Sequence, residues 1–173
     1  KKKFLFRSAA SLINSLSGVS SVLKTSSDVF SLRGKYQNLK LKPGLIMVGS
    51  HVKLADDQLD VLLHNQRCKG LEINVSKLID VFDSRNYDLS YLNYQNYLLA
   101  GIEEALHLGK TPVLYSSRGE VLFSSDVRRI KFGVQLADFM AELVKIIAPK
   151  IGYIISKGGI TSQAILEKGL ELK

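Results

Sequence analysis

The fold of this chain is decided by the stretch Gly152-Tyr153-Ile154-Ile155-Ser156-Lys157-Gly158-Gly159-Ile160-Thr161-Ser162. Its first half is rich in residues that favour β-strands, and Thr161-Ser162 opens a segment whose pattern is typical of a helix. The pair Gly158-Gly159 between them predicts a tight turn, because glycine adopts backbone angles that other residues avoid. We therefore predict a strand, a glycine turn and a helix in succession.

These residues leave two interpretations of the glycine turn open. Without Cβ atoms at Gly158 and Gly159, backbone N–H groups can approach a ligand closely. The positive end of the following helix and the charge of Lys157 both favour an anion, so the turn is typical of a phosphate-binding site. A plain strand-to-helix turn, in which the glycines only relieve crowding, has the same local pattern.

The rest of the chain alternates in the same way, which is typical of βα units. Predicted strands cover residues 4–6, 45–48, 71–75, 112–115 and 151–155, and predicted helices cover 8–16, 56–65, 76–82, 89–108, 127–148 and 160–168. Residues 20–42 are polar and predict a loop. The fold class is therefore α/β, a three-layer αβα (Rossmann-like) arrangement with a mainly parallel sheet flanked by helices. We expect one domain over residues 1–173.

Composition limits the classes of function. The chain has 173 residues, 46% of them hydrophobic, and a net charge of +8. No apolar run reaches the roughly 18 residues that a membrane helix needs. The single cysteine, Cys68, excludes an internal disulfide and a zinc site built on several thiolates, so we expect a cytoplasmic protein. The chain starts at Lys1 without an initiator methionine, from which we expect that it begins inside a longer polypeptide.

The basic residues do not point to nucleic acid as the partner. Lys and Arg are spread along the sequence, and the two densest groups, residues 1–3 and 128–131, lack the interleaved aromatic residues of a single-strand binding surface. An anionic small ligand such as a nucleotide explains the charge, and no membrane partner is expected.

Polar residues follow three of the predicted strands. The strand ends carry Gly49-Ser50, Ser116-Ser117-Arg118 and the segment 157–162. Because the carboxyl ends of parallel strands meet at one edge of a sheet, these residues predict a polar crevice there. The Ser50 hydroxyl can bind a phosphate oxygen or cap the following helix. Arg118 can neutralise a phosphate or pair with a nearby acid.

Neither a catalytic residue nor a metal site is assigned from the motifs. His51 suits proton transfer or a hydrogen bond within a loop. The carboxylates Asp56, Asp57 and Asp60 fall in the first turns of a predicted helix, where the helix dipole explains them better than a metal ion. The sequence contains no Gly-x-x-x-x-Gly-Lys-Ser/Thr loop, no Gly-x-Gly-x-x-Gly fingerprint and no His-Glu-x-x-His pair.

Four blocks occur together in a familiar order. They are Phe-Leu-Phe-Arg-Ser-Ala-Ala-Ser at 4–11, Met-Val-Gly-Ser-His-Val at 47–52 followed by Gln58-Leu59, Tyr-Ser-Ser-Arg at 115–118, and Ser-Lys-Gly-Gly-Ile-Thr-Ser at 156–162. On these blocks the chain resembles the carboxyl-terminal nucleotide-binding domain of the four-carbon acid sugar kinase family. The likeness spans nearly all residues, and the block at 157–162 is its most specific part.

The resemblance implies a function for the chain as part of a larger kinase. Members of the family use ATP, with Mg²⁺, to phosphorylate four-carbon sugar acids such as threonate, erythronate or their 3-oxo forms. An amino-terminal domain, absent from this chain, binds the sugar acid. By the resemblance, the nucleotide contacts fall on Ser50, Gly158, Gly159, Ile160 and Thr161. A further glycine-containing contact segment of the family would lie beyond Lys173.

Two functional classes remain as expectations. The first is the ATP-binding half of a sugar-acid kinase, which as an isolated chain binds ATP weakly and has no kinase turnover, because phosphoryl transfer needs both substrates held in line. The alternative is a non-catalytic module that binds a nucleotide or sugar phosphate, or that serves in oligomerisation. A homo-oligomer is compatible with either, and the sugar acid, its stereochemistry and the catalytic base are not specified by this sequence.

Overall fold

The computed structural model describes residues 25–35, 40–119 and 121–172. The chain divides into two compact units, residues 1–33 and residues 34–173. In the first unit the described residues form one short helix, α1 (Ser26–Ser31). Its start carries a reciprocal cap: the Thr25 N–H donates to the Asp28 carboxylate at 2.9 Å, and the Asp28 N–H donates to Thr25 Oγ1 at 3.2 Å.

Helix α1 corrects part of the prediction for residues 20–42. The polar composition there predicts a loop, but the cap of Thr25 and Asp28 satisfies the first free N–H groups and allows a helical turn. In the second unit an isolated antiparallel bridge joins Lys35 to Leu41. The predicted strand at 4–6 and the predicted helix at 8–16 lie outside the described residues.

The described part of the second unit alternates strands and helices. The strands are β1 (Gly44–Val48), β2 (Cys68–Ile73), β3 (Thr111–Ser116) and β4 (Tyr153–Lys157). The helices are α2 (Lys53–Leu63), α3 (Val75–Phe82), α4 (Tyr87–His107), α5 (Asp126–Ile147) and α6 (Gly159–Ala164). A 3₁₀ turn (Ala148–Lys150) follows α5, and a π-helical turn (Ile165–Gly169) continues α6.

The four described strands form one parallel sheet in the order β2-β3-β1-β4. Ile46 in β1 lies opposite Val113 in β3 and Ile155 in β4. Strand β1 is buried along its whole length, as its continuous apolar run predicts. Strand β2, whose apolar and polar residues alternate, lies at the edge of the described sheet.

Helices cover both faces of the sheet, which confirms the three-layer αβα fold. Helix α2 packs through Leu59 against Ile46 and Val113 on one face. Helices α3, α4 and α5 pack on the other face around Leu45 and Leu114. Connections between parallel strands are almost always right-handed. A helix that leads to a strand on one side therefore covers one face of the sheet, and a helix that leads to the other side covers the opposite face. The chain therefore leaves β1 towards one face and its neighbour β3 towards the other, and a crevice opens between their carboxyl ends.

Helix α5 is held against the sheet by residues spaced four apart. Phe139, Leu143 and Ile147 are each fully buried. Burying one such side chain stabilises the fold by about 1.5–3 kcal/mol, so this face fixes the helix that flanks the crevice. None of the helices in the described ranges combines the length and the apolar character needed to cross a membrane.

Candidate functional site

The predicted glycine turn joins β4 to α6. Gly158 has a φ of 118°, in the region that favours glycine. A Cβ placed on Gly158 would lie 3.2 Å from the Ser50 backbone nitrogen and 3.4 Å from the Gly49 carbonyl carbon. Glycine is therefore required at position 158 both by the backbone angle and by the close approach of the chain that follows β1.

Gly159, the first residue of α6, differs from Gly158. It is exposed, and no heavy atom of the described residues lies within 4 Å of a Cβ built there. The first hydrogen bond of α6 runs from the Ser162 N–H to the Gly158 carbonyl at 2.8 Å. The N–H groups of Gly159, Ile160 and Thr161 thus have no acceptor inside the helix and face its amino end.

The end of β1 and the start of α6 are in direct contact. The Gly49 N–H donates to the Lys157 carbonyl at 2.9 Å. A Cβ on Gly49 would lie 2.0 Å from Thr161 Oγ1, and the Thr161 side chain is buried. The absence of a side chain at Gly49 therefore allows Thr161 to lie beside the residue that follows β1.

Arg118 ties the end of β3 to the end of β1. Its Nη1 donates to the Ser50 carbonyl at 2.7 Å, and its Nε lies 3.3 Å from Asp56 Oδ1 in α2. Of the two interpretations of Arg118, pairing with an acid is the one observed. The residue that caps α2 is Val52, so the interpretation of the Ser50 hydroxyl as that cap is wrong.

His51 lies against Ser116 at the same edge. The distance between His51 Nε2 and Ser116 Oγ is 3.0 Å, and Ser116 is fully buried. Partial burial and the positive charge of Arg118 lower the pKa of His51 below its usual 6.5, while the Asp56 carboxylate acts in the opposite direction. The imidazole is therefore neutral near pH 7 and able to accept a proton or a hydrogen bond.

Ser117 links β3 to the start of α3 by hydrogen bonds. Its Oγ accepts a hydrogen bond from the Val75 N–H at 3.0 Å, and its own N–H donates to the Ile73 carbonyl at 2.9 Å. Both contacts join the end of β3 to the connection between β2 and α3, so the Ser117 side chain holds the edge of the sheet together.

The strand ends open into a cleft of about 600 Å³. One part of its lining is polar or small: Gly49, His51, Asp56, Ser117, Arg118, Gly119 and Thr161. The other part is mainly apolar: Val75, Val121, Phe123, Phe132, Leu136, Ala137 and Ile160, with Arg129 and Gly133. Two arginines are among these described lining residues: Arg118 lies beside Asp56, and Arg129 pairs with Asp126 at 3.3 Å.

Comparison with protein families identifies the class of this domain. The sequence profile of a family described as "Nucleotide-binding C-terminal domain" matches residues 45–173. The chain belongs to this family. Comparison with curated proteins and with solved structures gave no match.

In this nucleotide-binding domain, the structure brings the five expected contact residues to one edge of the sheet. Ile160 and Thr161 line the cleft. Ser50 and Gly158 are in contact with each other, and Gly159 is exposed beside them. Their contacts with a nucleotide stay a prediction. Lys157, which the sequence analysis placed beside the turn, donates its hydrogen bond to Gln58 of α2 and lies outside the cleft lining.

Sequence reasoning missed the apolar wall of the nucleotide-binding domain. Phe123 and Phe132 form part of it, with ring centroids 5.3 Å apart, and Gly133 follows Phe132 in α5. The available signal was weak: an isolated glycine inside a helical pattern costs about 1 kcal/mol relative to alanine. Gly133 falls within the predicted helix 127–148, whose pattern alone assigns it no role.

The described residues of the domain hold no group of three or more His, Cys, Asp and Glu side chains placed to bind a metal ion. A metal ion that accompanies a nucleotide is held largely by the phosphates, with few protein ligands.

Proposed function

We propose that the cleft binds ATP, with the phosphates against the turn at residues 158–161. The family supports a nucleotide as the ligand. The N–H groups at the start of α6 and the guanidinium group of Arg118 provide donors and positive charge for the phosphates. The cleft has a volume of about 600 Å³, which is within the usual range for a small-molecule site.

One observation carries this proposal: the close approach of the turn to the end of β1. A Cβ added to Gly158 would lie 3.2 Å from the Ser50 nitrogen. A Cβ added to Gly49 would collide with the Thr161 side chain, at 2.0 Å from its Oγ1. Two glycines therefore bring two stretches of main chain together at the carboxyl edge of a parallel sheet, which is where ligands bind in doubly wound folds.

A more specific proposal concerns the reaction of the full-length protein. We propose that this protein is an ATP-dependent kinase. Its substrate is a four-carbon sugar acid, such as threonate, erythronate or their 3-oxo forms, bound by an amino-terminal domain. Mg²⁺ arrives with ATP and neutralises the phosphate charge. The support is the resemblance of the four sequence blocks, of which the segment 156–162 forms the turn beside the cleft.

In this proposal the residues of the chain bind and orient the nucleotide. The N–H groups of Gly159, Ile160 and Thr161 contact the phosphates, and Ser50 lies beside them. Arg118 holds the Ser50 carbonyl in place through the hydrogen bond of 2.7 Å. No residue of this chain is assigned the removal of the proton from the substrate hydroxyl.

Calorimetric titration of Mg-ATP into the wild-type chain and the Gly159→Val variant tests the site. A Cβ at position 159 meets none of the described protein atoms within 4 Å, so a valine there has open space at the start of α6. We expect the fold to persist and the affinity for ATP to fall by roughly tenfold or more, the loss typical of a blocked phosphate contact.

Gln163→Val is the control. Gln163 is an exposed residue of the same helix α6 and lies outside the cleft lining. Equal ATP affinity of the wild-type chain and the Gly159→Val variant contradicts the placement of the phosphates.

An activity assay tests the kinase reaction. We expect the full-length protein to phosphorylate a sugar acid and this chain alone to show no phosphorylation. Nucleotide binding without turnover in the full-length protein would favour the non-catalytic module.

A further inference from the structure

One wall of the cleft is apolar and offers little to the phosphates of a nucleotide. Val121, Phe123, Phe132 and Leu136 line it with apolar side chains. Phe132 is buried, and its ring also packs edge-on against Phe82 at a centroid distance of 5.9 Å. The wall is therefore a fixed surface rather than a set of mobile exposed side chains.

A gap in this wall lies at Gly133. A Cβ built on Gly133 would meet no heavy atom of the described residues within 4 Å, although the residue lies inside the 22-residue helix α5 and lines the cleft. A glycine at such a position weakens a helix by about 0.8–1 kcal/mol relative to alanine. Since none of the described residues packs at this position, the free space next to Gly133 is the feature that needs an explanation.

We propose that the base of the nucleotide lies over Gly133, against Phe123 and Phe132, so that Gly133 determines whether a nucleoside can enter. This inference rests on the proposed function. A flat, aromatic base is the part of a nucleotide that gains from an apolar and aromatic surface, whereas the phosphates gain from N–H groups and arginines. The two parts of the cleft lining match these two parts of one ligand.

The spacing along α5 agrees with this assignment. Ala137 lies one helical turn after Gly133 and packs with Ala164 of α6, so this end of the wall is next to the phosphate turn. Four residues of helix span roughly 6 Å. Phe132 and Gly133 thus lie about one turn along α5 from Ala137, where α5 meets α6.

The test compares Gly133→Leu with the neighbouring control Val134→Leu, using Mg-ATP and inorganic tripolyphosphate as titrants. A Cβ at 133 meets no described atom within 4 Å, and Gly133 lines the cleft, so we expect a leucine there to occupy the cleft; Val134 lies outside the cleft lining and is half exposed. We expect Gly133→Leu to weaken ATP binding by roughly tenfold or more, as loss of a stacked base does. Tripolyphosphate binding should stay unchanged, and Val134→Leu should match the wild-type chain.

Photolabelling with 8-azido-ATP gives an independent readout in the wild-type chain. The azide sits on the base, so labelling is expected in the tryptic peptides 119–128 or 132–145, which carry Phe123, Phe132 and Gly133. Labelling elsewhere overturns the assignment, as does ATP affinity unaffected by Gly133→Leu or an equal loss of tripolyphosphate binding. If the wild-type chain binds no ATP, the proposed function fails and this inference fails with it. ATP binding lost in Gly159→Val but retained in Gly133→Leu rejects only the base position.

Discussion

Gly49 lies so close to Thr161 that no side chain fits between them: an added Cβ would be 2.0 Å from Thr161 Oγ1 and 3.0 Å from Thr161 Cβ. This contact joins the residue that follows β1 to the first turn of α6, beside the phosphate turn. Its requirement for glycine arises from a neighbour more than a hundred residues away in sequence, not from the local backbone.

Gly49→Ala should therefore push Thr161 and the first turn of α6 away from β1. We expect a loss of about 1–3 kcal/mol in the free energy of unfolding, as in other overpacked sites. Because the contact is pairwise, Thr161→Ala should recover part of the loss in the double variant, and urea unfolding of all four proteins measures this coupling. Strict additivity of the two single losses would contradict the contact.

Alanine at Gly158 and at Gly159 should have opposite effects on stability. Gly158 has a φ of 118°, so Gly158→Ala is expected to cost about 1–3 kcal/mol. Gly159 begins a helix and has open space, so Gly159→Ala should be neutral or stabilise the fold by up to about 1 kcal/mol. Chemical denaturation of both variants gives the two values. A loss at Gly159 as large as that at Gly158 would be the wrong outcome.

Both Arg118→Lys and Arg118→Ala should weaken the contact that holds the Ser50 carbonyl in place. A lysine ammonium is a point charge that cannot reproduce the two directions in which the guanidinium meets the Ser50 carbonyl and Asp56. Both groups are partly exposed, so we expect a coupling of only about 1 kcal/mol between Arg118→Ala and Asp56→Ala.

The Arg118 variants also separate positioning from charge in ligand binding. If the arginine acts by holding Ser50, Arg118→Lys should weaken ATP binding nearly as much as Arg118→Ala, although it keeps the positive charge. Calorimetry on both variants measures this, with Arg67→Lys as the control for an arginine outside the cleft lining. Full ATP affinity in Arg118→Lys would show that charge is what matters.

His51 should make stability depend on pH in the acidic range. Its pKa in the folded chain is lowered, so the unfolded chain takes up the proton first as the pH falls. The stabilising contribution is complete above about pH 6.5 and is lost as the pH falls through the lower pKa of the folded state. The ring is only partly buried, so the effect is small.

His51→Gln removes the titrating ring and retains a polar side chain. Its free energy of unfolding should fall less than that of the wild-type chain between about pH 7.5 and pH 5. Urea unfolding at a series of pH values gives the comparison, and His64→Gln, at the end of α2, controls for loss of a histidine. Parallel pH profiles of wild type and His51→Gln would contradict the role given to burial and Arg118.

Much of the fold was predictable because its signals are local. The apolar run at 45–48 predicts a buried strand and the pattern at 127–148 predicts a long helix, and both agree with the structure. The alternation at 71–75 predicts an edge strand; the strand is at the edge but covers Cys68–Ile73, because Asn74 caps α3 and Val75 begins it. The helix at Ser26–Ser31 was not predicted, because the reciprocal cap of Thr25 and Asp28 acts within a polar segment that composition describes as a loop.

The site was predictable in part for the same reason. The strand ends carry Ser50, Arg118 and the turn at 158–161, and parallel strands bring such ends to one edge. The partners of these residues were not predictable. Arg118 reaches Ser50 and Asp56 through the order of β3 and β1 in the sheet, which no local pattern specifies. The wall at Phe123, Phe132 and Gly133 likewise forms only when α5 and the preceding loop fold over the crevice.

The sequence by itself determined the alternation of strands and helices and the place of the glycine turn, because hydrophobic period and glycine's backbone freedom act over a few neighbouring residues. Tertiary structure decided the strand order, the contact of Gly49 with Thr161 and the open space beside Gly133. Those depend on which surfaces meet when distant segments pack, and packing is settled by the shape of the whole core rather than by any one stretch.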